Sequence, residues 1–311
     1  VDHTSVLLDE SIEALQIKTD GIYVDATLGA AGHSSEILKR IPEGHLYSFE
    51  QDHTVVEVAR KRLSAIAGNF TIVERNFVEL KTALAELGVD KIDGILFDLG
   101  VSSMQFDRGE RGFSYNHNAR LDMRMNDHQE LDAYQIINTW SFQDLYRILT
   151  VYGEEKFAKQ IARSIERERN EQPIETTFQL VDLIKQTLPA AVLRKKGHPA
   201  KQTFQALRIA VNDELRVFET ALVDAIEITA IHGRIAVISF HSLEDRIAKN
   251  IFKQYSSNEQ KLPKNLPILP QDEELTKLKL INRKPIIAGE QELTDNNRAH
   301  SAKLRVAEVQ R

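Results

Sequence analysis

Three aspartates, Asp25, Asp52 and Asp98, each close a short apolar run, and carboxylates so placed can hold hydroxyls, an ammonium or an amine. The first opens the most informative stretch, Asp25-Ala-Thr-Leu-Gly-Ala-Ala-Gly32, which follows Ile22-Tyr-Val24 and leads into the helical pattern Ser34-Ser-Glu-Ile-Leu-Lys-Arg-Ile41. Strand, glycine turn and helix start let a backbone approach a nucleotide-like ligand closely. Gly29 and Gly32 form G-x-x-G, not the G-x-G-x-x-G that holds a dinucleotide pyrophosphate. Asp25 beside them would repel a phosphate and suit a cation. A ligand with a ribose and an ammonium but no phosphates meets both conditions, which points to S-adenosylmethionine.

Asp52 can accept both ribose hydroxyls of such a ligand, cap the helical pattern that follows it over 53–67, or do both. Phe77, after the third apolar run, offers a face for adenine, although a core phenylalanine is the more frequent case. Asp98, in Phe97-Asp-Leu-Gly-Val-Ser-Ser103, ends a buried run where the transferable group should lie. A carboxylate on a hydrophobic strand end needs a partner.

These residues require a parallel sheet to bring them together. Candidate strands fall at 22–26, 45–49, 70–74 and 92–98, separated by helical patterns at 34–41, 53–67 and 78–87, the last closed by Gly88. Such alternation predicts an α/β sheet with right-handed crossovers and ligands outside the carboxyl ends of its strands. Residues 100–125 lack a clear period and suit a long functional loop. Helical patterns then fill 129–139, 142–150, 154–170 and 177–188. A long amphipathic helix over 203–231 leads to a strand at 234–240 and a helix at 242–255. A proline-rich linker at 262–270 and strand-like runs at 277–283 and 302–309 follow. The pattern predicts one sheet interrupted by a helical insertion: a first part over 1–104, an inserted helical substrate-recognition domain over 105–202, and a second part over 203–311.

Composition narrows the class. With 42% hydrophobic and 28% charged residues, the 311-residue chain reads as a soluble globular protein. No apolar run reaches the ~18 residues of a membrane span, and no signal peptide is visible. The absence of cysteine excludes disulfides and thiolate chemistry and, with no export signal, favours the cytoplasm. A net charge of −6 argues against a nonspecific nucleic-acid binder and leaves room for a local basic surface. Gln105, Arg108, Arg111, Arg120 and Arg124 bracket Gly112-Phe-Ser-Tyr115, a mixture suited to stacking on bases and pairing with phosphates. Arg194, Lys195, Lys196 and Lys201 form a second cluster, and Arg283, Lys284, Arg298, His300, Lys303 and Arg305 a third. His241-Ser-Leu-Glu-Asp245 has a hydrolase look, but no G-x-S-x-G elbow exists; Ser242 reads as a helix N-cap with Asp245 at the third position. No H-E-x-x-H and no Walker A loop are present, so no catalytic metal is expected.

Successive segments resemble the bacterial ribosomal RNA small subunit methyltransferase H family. They are His3-Thr-Ser-Val-Leu-Leu8, Asp25 to Ser34, Asp98-Leu-Gly-Val-Ser-Ser-Met-Gln105, Arg111-Gly-Phe-Ser114, Leu121-Asp-Met-Arg-Met125, His198-Pro-Ala200, Phe204-Gln-Ala-Leu-Arg-Ile209, Val237 to Arg246 and Ser301-Ala-Lys-Leu-Arg305. They span essentially the whole chain in order. The resemblance implies a class I S-adenosylmethionine-dependent methyltransferase fold, Rossmann-like, carrying an all-helical insertion. It implies methylation of N4 of a cytidine in the decoding region of 16S rRNA, with the small ribosomal subunit as partner. By position it places S-adenosyl-L-methionine contacts at Ala31, Gly32, His33, Asp52, Phe77, Asp98 and Gln105. Ala31 departs from the glycine more usual there; if its φ is positive, the loop is strained.

The exocyclic N4 is a poor nucleophile because its lone pair is delocalised into the ring. A catalyst must align it with the methyl-bearing sulfur and accept hydrogen bonds from its two N–H bonds. Asp98 and the Leu99 carbonyl are the expected acceptors, with Asp122 a further candidate for proton removal. Phe113 or Tyr115 is expected to hold a flipped-out base, with Arg108, Arg111, Arg124, Lys195 and Lys196 on the RNA. A DNA amino-methyltransferase would more plausibly show a Pro-Pro-aromatic loop in place of Asp98-Leu-Gly-Val. An RNA-binding assembly factor would lack the cofactor crevice, and a dinucleotide dehydrogenase would need the other glycine spacing. Oligomeric state is left open, a homodimer included.

Overall fold

The computed structural model describes residues 4–257 and 275–311; the proline-rich stretch expected at 262–270 lies outside them. Two compact units emerge, one from Val1–Gly100 with Leu215–Arg311 and one from Val101–Glu214.

The first unit is a seven-stranded sheet. Its strands are β1 (Ile22–Asp25), β2 (His45–Phe49), β3 (Phe70–Val73), β4 (Ile92–Asp98), β5 (Thr229–Ser239), β6 (Leu278–Leu280) and β7 (Lys303–Val309). The order is β3-β2-β1-β4-β5-β7-β6, with β7 antiparallel to both neighbours and the other pairings parallel. Chain order reverses between β1 and β4, so the loops after these two strands open a crevice at their carboxyl ends. Helices α1 (Leu8–Leu15), α2 (Gly32–Leu38), α3 (His53–Ser64) and α4 (Leu80–Glu86) belong to the first half. Two apolar layers cover the sheet. One gathers Val24, Phe49, Ile95, Phe97, Phe218, Leu222 and Val237; the other gathers Tyr23, Ile37, Leu46, Leu63, Leu96, Ile238 and Leu304. Neighbours along β4 alternate between the layers, Ile95 and Phe97 to one and Leu96 to the other, as a pleat demands. Each side chain of this size, fully buried, contributes roughly 1.5–3 kcal/mol.

The second unit is helical: α5 (Ser103–Asp107), α6 (Ala133–Thr139), α7 (Phe142–Val151), α8 (Ala158–Glu171), α9 (Thr177–Thr187), α10 (Ala190–Leu193) and α11 (Lys201–Asn212). Side-chain oxygens cap several starts, Asp132 for α6, Ser141 for α7 and Thr176 for α9. Its core joins Leu121, Met123, Ile136, Ile148, Ile161, Leu180, Ile184, Phe204 and Leu207. The unit is wider than the 105–202 span read from sequence because Val101 and the apolar face of α11, Phe204, Ala206, Leu207 and Val211, sit in that core.

Further corrections concern local structure. The single helix expected over 203–231 is two, α11 and α12 (Glu214–Ile228), broken where Asp213 takes a left-handed φ of 49°. The strand expected from 234 starts at Thr229. Residues 100–125 are not all loop, since α5 and a 3-10 turn at Gly109–Arg111 lie within them. Helix α13 (Ser242–Tyr255) is capped by His241, not by Ser242. No helix among the described residues is long and apolar enough to cross a membrane.

Candidate active site

The loop after β1 is stitched to both neighbouring strands. Ala26 N donates to Leu96 O (2.9 Å) and Leu28 N to Phe49 O (3.0 Å). Asp98 N donates to Thr27 Oγ1 at 2.7 Å. Asp25 serves this stitching: fully buried, it accepts from Thr27 N (3.0 Å) and Ser34 Oγ (2.6 Å), and Ser34 in turn meets Ser48 at 2.8 Å. Its carboxylate therefore braces the turn.

Gly29 and Ala31 both take left-handed backbones, φ 51° and 67°. For alanine that conformation costs roughly 1 kcal/mol, and Ala31 nonetheless forms the buried N-terminal boundary of α2. Gly32 is required by a close approach: a Cβ there would stand 1.7 Å from Ser5 Oγ.

His33 follows on α2, almost fully buried. Its Nε2 lies 3.2 Å from Val6 O and its Nδ1 lies 3.5 Å from Asp98 Oδ2. Because the Val6 carbonyl can only accept, Nε2 carries the hydrogen. The Asp98 side chain is a quarter exposed overall, yet Oδ1 is buried and without a hydrogen-bond partner. Burial pushes its carboxyl up to about 6, with His33 and Arg298 pulling the other way. This orphaned acceptor sits at the switch point of the sheet, on the strand end facing the crevice. The Leu99 N–H is spent on Ile238 O (3.0 Å).

Asp52 is buried and caps α3, its Oδ1 accepting from Thr54 N (3.0 Å) and Thr54 Oγ1 (2.6 Å). Glu50, absent from the sequence reading, is the residue that joins these loops. Its Oε1 accepts from Gly29 N (3.0 Å) and its Oε2 from Asp52 N (3.2 Å), and burial raises its carboxyl to about 7. Phe77 opens a 3-10 turn after β3, half-buried, with its ring edge-on to Phe97 at 5.7 Å.

The remaining predicted residues lie in the helical unit. Gln105, buried, closes a capping box with Ser102 that engages its Oε1 at 3.1 Å. Asp122 is gripped by Arg124, Nε to Oδ1 at 2.7 Å and Nη2 to Oδ2 at 3.1 Å, and this pairing holds its carboxyl below the usual range despite burial. That argues against Asp122 as a proton acceptor. Arg124 also donates to the Asp127 and Gln129 carbonyls, so it ties the loop together. Arg111 donates to Arg124 O (2.7 Å) and lies 5.6 Å from the Phe113 ring centre. Phe113 itself is 4% exposed and part of the helical core, so it has no face to offer a base. Tyr115 is half-buried and stacks on His198 at 4.1 Å. Arg108 is partly exposed, and Lys195 and Lys196 are exposed on the turn after α10.

The chain matches the MraW methylase family over residues 1–310. The chain belongs to the MraW methylase family. This MraW methylase is 58% identical over 307 residues to the ribosomal RNA small subunit methyltransferase H of Exiguobacterium sibiricum, covering 99% of this chain and 98% of that one. It is 55% identical over 309 residues to the protein of the same name in Limosilactobacillus fermentum, with the same coverage. Among solved structures, an rRNA methylase from Streptococcus thermophilus aligns at a TM-score of 0.43 and 10% identity, over 97% of this chain and 93% of that one. The family and the seven-stranded order make this MraW methylase a class I methyltransferase with S-adenosylmethionine as its methyl donor. The donor set fits that molecule: acidic strand ends and a short glycine turn with no phosphate cradle.

Proposed function

We propose that this MraW methylase transfers a methyl group from S-adenosylmethionine to N4 of one cytidine in the decoding region of 16S rRNA, acting on the small ribosomal subunit in the cytoplasm. The observation that carries the reading is the unpartnered, buried Oδ1 of Asp98 at the crevice. An acceptor of this kind suits an amine, which must lose a proton as it is methylated. The names of the 58% and 55% identical relatives support a ribosomal RNA substrate.

S-adenosylmethionine supplies an electrophilic methyl group on a positively charged sulfur. Asp52 and Phe77 would hold its adenosine, and the turn at Ala31, Gly32 and His33 would pack against it. Asp98 accepts one N–H of the target amine, and the Leu99 carbonyl can accept another. Aligning the nitrogen in this way restores lone-pair density that the ring would otherwise withdraw. The residues over 105–202 serve RNA recognition: Tyr115 offers a ring for stacking on a base, and Arg108, Lys195 and Lys196 offer charges for phosphates. Arg111 and Arg124 shape the loop that follows Tyr115.

The test is transfer of labelled methyl to small subunits lacking the modification, followed by nucleoside analysis. Label in N4-methylcytidine is the expected result. Label in another nucleoside, or only in naked DNA, would overturn the assignment.

A further inference from the structure

One buried carboxylate of the sheet unit remains without a role. Glu244 stands in the first turn of α13, 4% exposed, and neither side-chain oxygen makes a hydrogen bond with any described residue. His241 Nε2 lies 2.8 Å from Oε1, an ion-pair distance without the angle of a hydrogen bond. The Glu244 backbone N–H points at His241 Nδ1 across a long 3.5 Å contact, which makes Nδ1 the acceptor and leaves the ring hydrogen on Nε2, beside the carboxylate but not aligned with it.

The adjacent residue shows what a structural acid looks like here. Asp245 takes two hydrogen bonds from Arg305, Nε at 2.7 Å and Nη2 at 3.1 Å. Glu244 has no such cation, although an incompletely paired buried carboxylate is expensive. A fold that needed only a cap for α13 already has one in His241.

Position supplies the role. Asp98 lies opposite Ile238 in the parallel β4–β5 register, so the chain leaves both strands at one level. Phe240 reaches back over Gly100, 3.8 Å from where a Cβ would be. Arg298, from the short turn Asn297–Ser301, lies 5.7 Å from the Phe240 ring centre and favours ionised Asp98, while Glu244 opposes it. Two incompletely satisfied carboxylates therefore share one end of the sheet, and an amine has two N–H bonds to offer.

We propose that Glu244, oriented by His241, is the second carboxylate of the methyl-transfer site and takes the proton released by the acceptor amine. This rests on the function proposed above. As the amine nitrogen bonds to the methyl carbon, the carbon–sulfur bond breaks and the sulfur keeps that electron pair as a neutral thioether. The surplus N–H proton passes to Glu244, and Asp98 holds the other N–H. Glu244 is thus a catalytic residue and His241 a positioning one.

The test compares wild type with Glu244→Gln, Glu244→Asp and His241→Asn, the last keeping an oxygen that can cap α13. Glu244→Gln should bind S-adenosylmethionine by calorimetry within about twofold of wild type, melt no lower, and lose about 100- to 1,000-fold in single-turnover transfer. Glu244→Asp should recover part of that loss, and His241→Asn should lower kcat with KM for the subunit unchanged. Nitrogen NMR of the free protein gives a readout independent of turnover: His241 should show a bare Nδ1 and a protonated Nε2 whose signal moves in Glu244→Gln. Wild-type transfer by Glu244→Gln, or a His241 signal indifferent to that change, would overturn the proposal. Wild-type enzyme that labels a different amine would instead overturn the cytidine assignment, and the Glu244 comparison would then be made on that amine.

Discussion

His33 Nδ1 faces Asp98 Oδ2 across 3.5 Å while the opposite ring nitrogen is committed to the Val6 carbonyl. With Nε2 donating to that carbonyl, Nδ1 is the ring atom left to meet the carboxylate. The first turn of α2 and the end of β4 thereby meet through one side-chain contact.

Asp98 predicts the pH dependence of turnover. Asp98 accepts from an amine most strongly when ionised, and its carboxyl is raised to about 6. Single-turnover transfer should therefore climb as pH rises through about 6 and level off above it. Asp98→Asn should lower the rate by at least about 100-fold and remove the inflection. A pH-independent rate between 5 and 8 in the wild-type enzyme would contradict this.

Stability should run the other way. Asp98 holds its proton more tightly folded than unfolded, so stability is lost as pH rises from the ordinary value of 3.8 through about 6. Asp98→Asn should consequently raise the melting temperature at pH 8, by at most about 3 kcal/mol in unfolding free energy, and change little near pH 4. Thermal melts at the two pH values measure the difference.

The turn before α2 separates two reasons for a small residue. Ala31→Gly relieves a φ of 67° and should stabilise the protein by about 1 kcal/mol without weakening cofactor binding. Gly32→Ala drives a methyl into Ser5 Oγ, so it should destabilise, and Ser5→Gly should restore part of the loss. A double-mutant cycle on Ser5 and Gly32 reads the coupling directly.

Glu50 holds the Gly29 and Asp52 backbones together. Glu50→Ala removes the acceptor these two part-buried donors share and should weaken S-adenosylmethionine binding by roughly tenfold or more at pH 8, as measured by calorimetry. Glu50→Gln keeps one acceptor oxygen and should fall between.

In the helical unit, Asp122→Ala should lower stability through the lost Arg124 grip and leave S-adenosylmethionine affinity intact. Lys195→Ala with Lys196→Ala should instead spare folding. It should reduce the salt dependence of RNA binding by roughly 0.7–0.9 per lost phosphate contact. Differential scanning calorimetry and binding isotherms at several salt concentrations distinguish the two cases.

The first four strands were legible because each is a short apolar run with a glycine or an acid at its end, and the pleat needs nothing more. Helix α1 was not, since Leu7 at its start adopts a left-handed conformation and provides no capping side chain. The break at Asp213 hides within a continuous apolar period that runs from Val211 on α11 to Val217 and Phe218 on α12. At the site, Asp52 and Asp98 stand out by position alone. Glu50 lies two residues from Asp52, and only the folded path shows which acid meets the returning backbone. Arg111, Phe113 and Arg124 have the composition of an RNA surface, yet burial and loop hydrogen bonds consume them. Composition marks which residues are able to bind; solvent access decides which are available.

The placement of β7 between β5 and β6 carries a consequence for how the chain acquires its shape. Residues 101–214 form one uninterrupted length with its own apolar core, so this unit can condense as soon as its own sequence has been made. The sheet must wait: β5 is left with an open edge until Lys303–Val309 arrives. During synthesis the middle of the chain therefore has every contact it needs before either end does. The catalytic half is closed last, by a segment that contributes to both apolar layers of the sheet through Leu304 and Ala307.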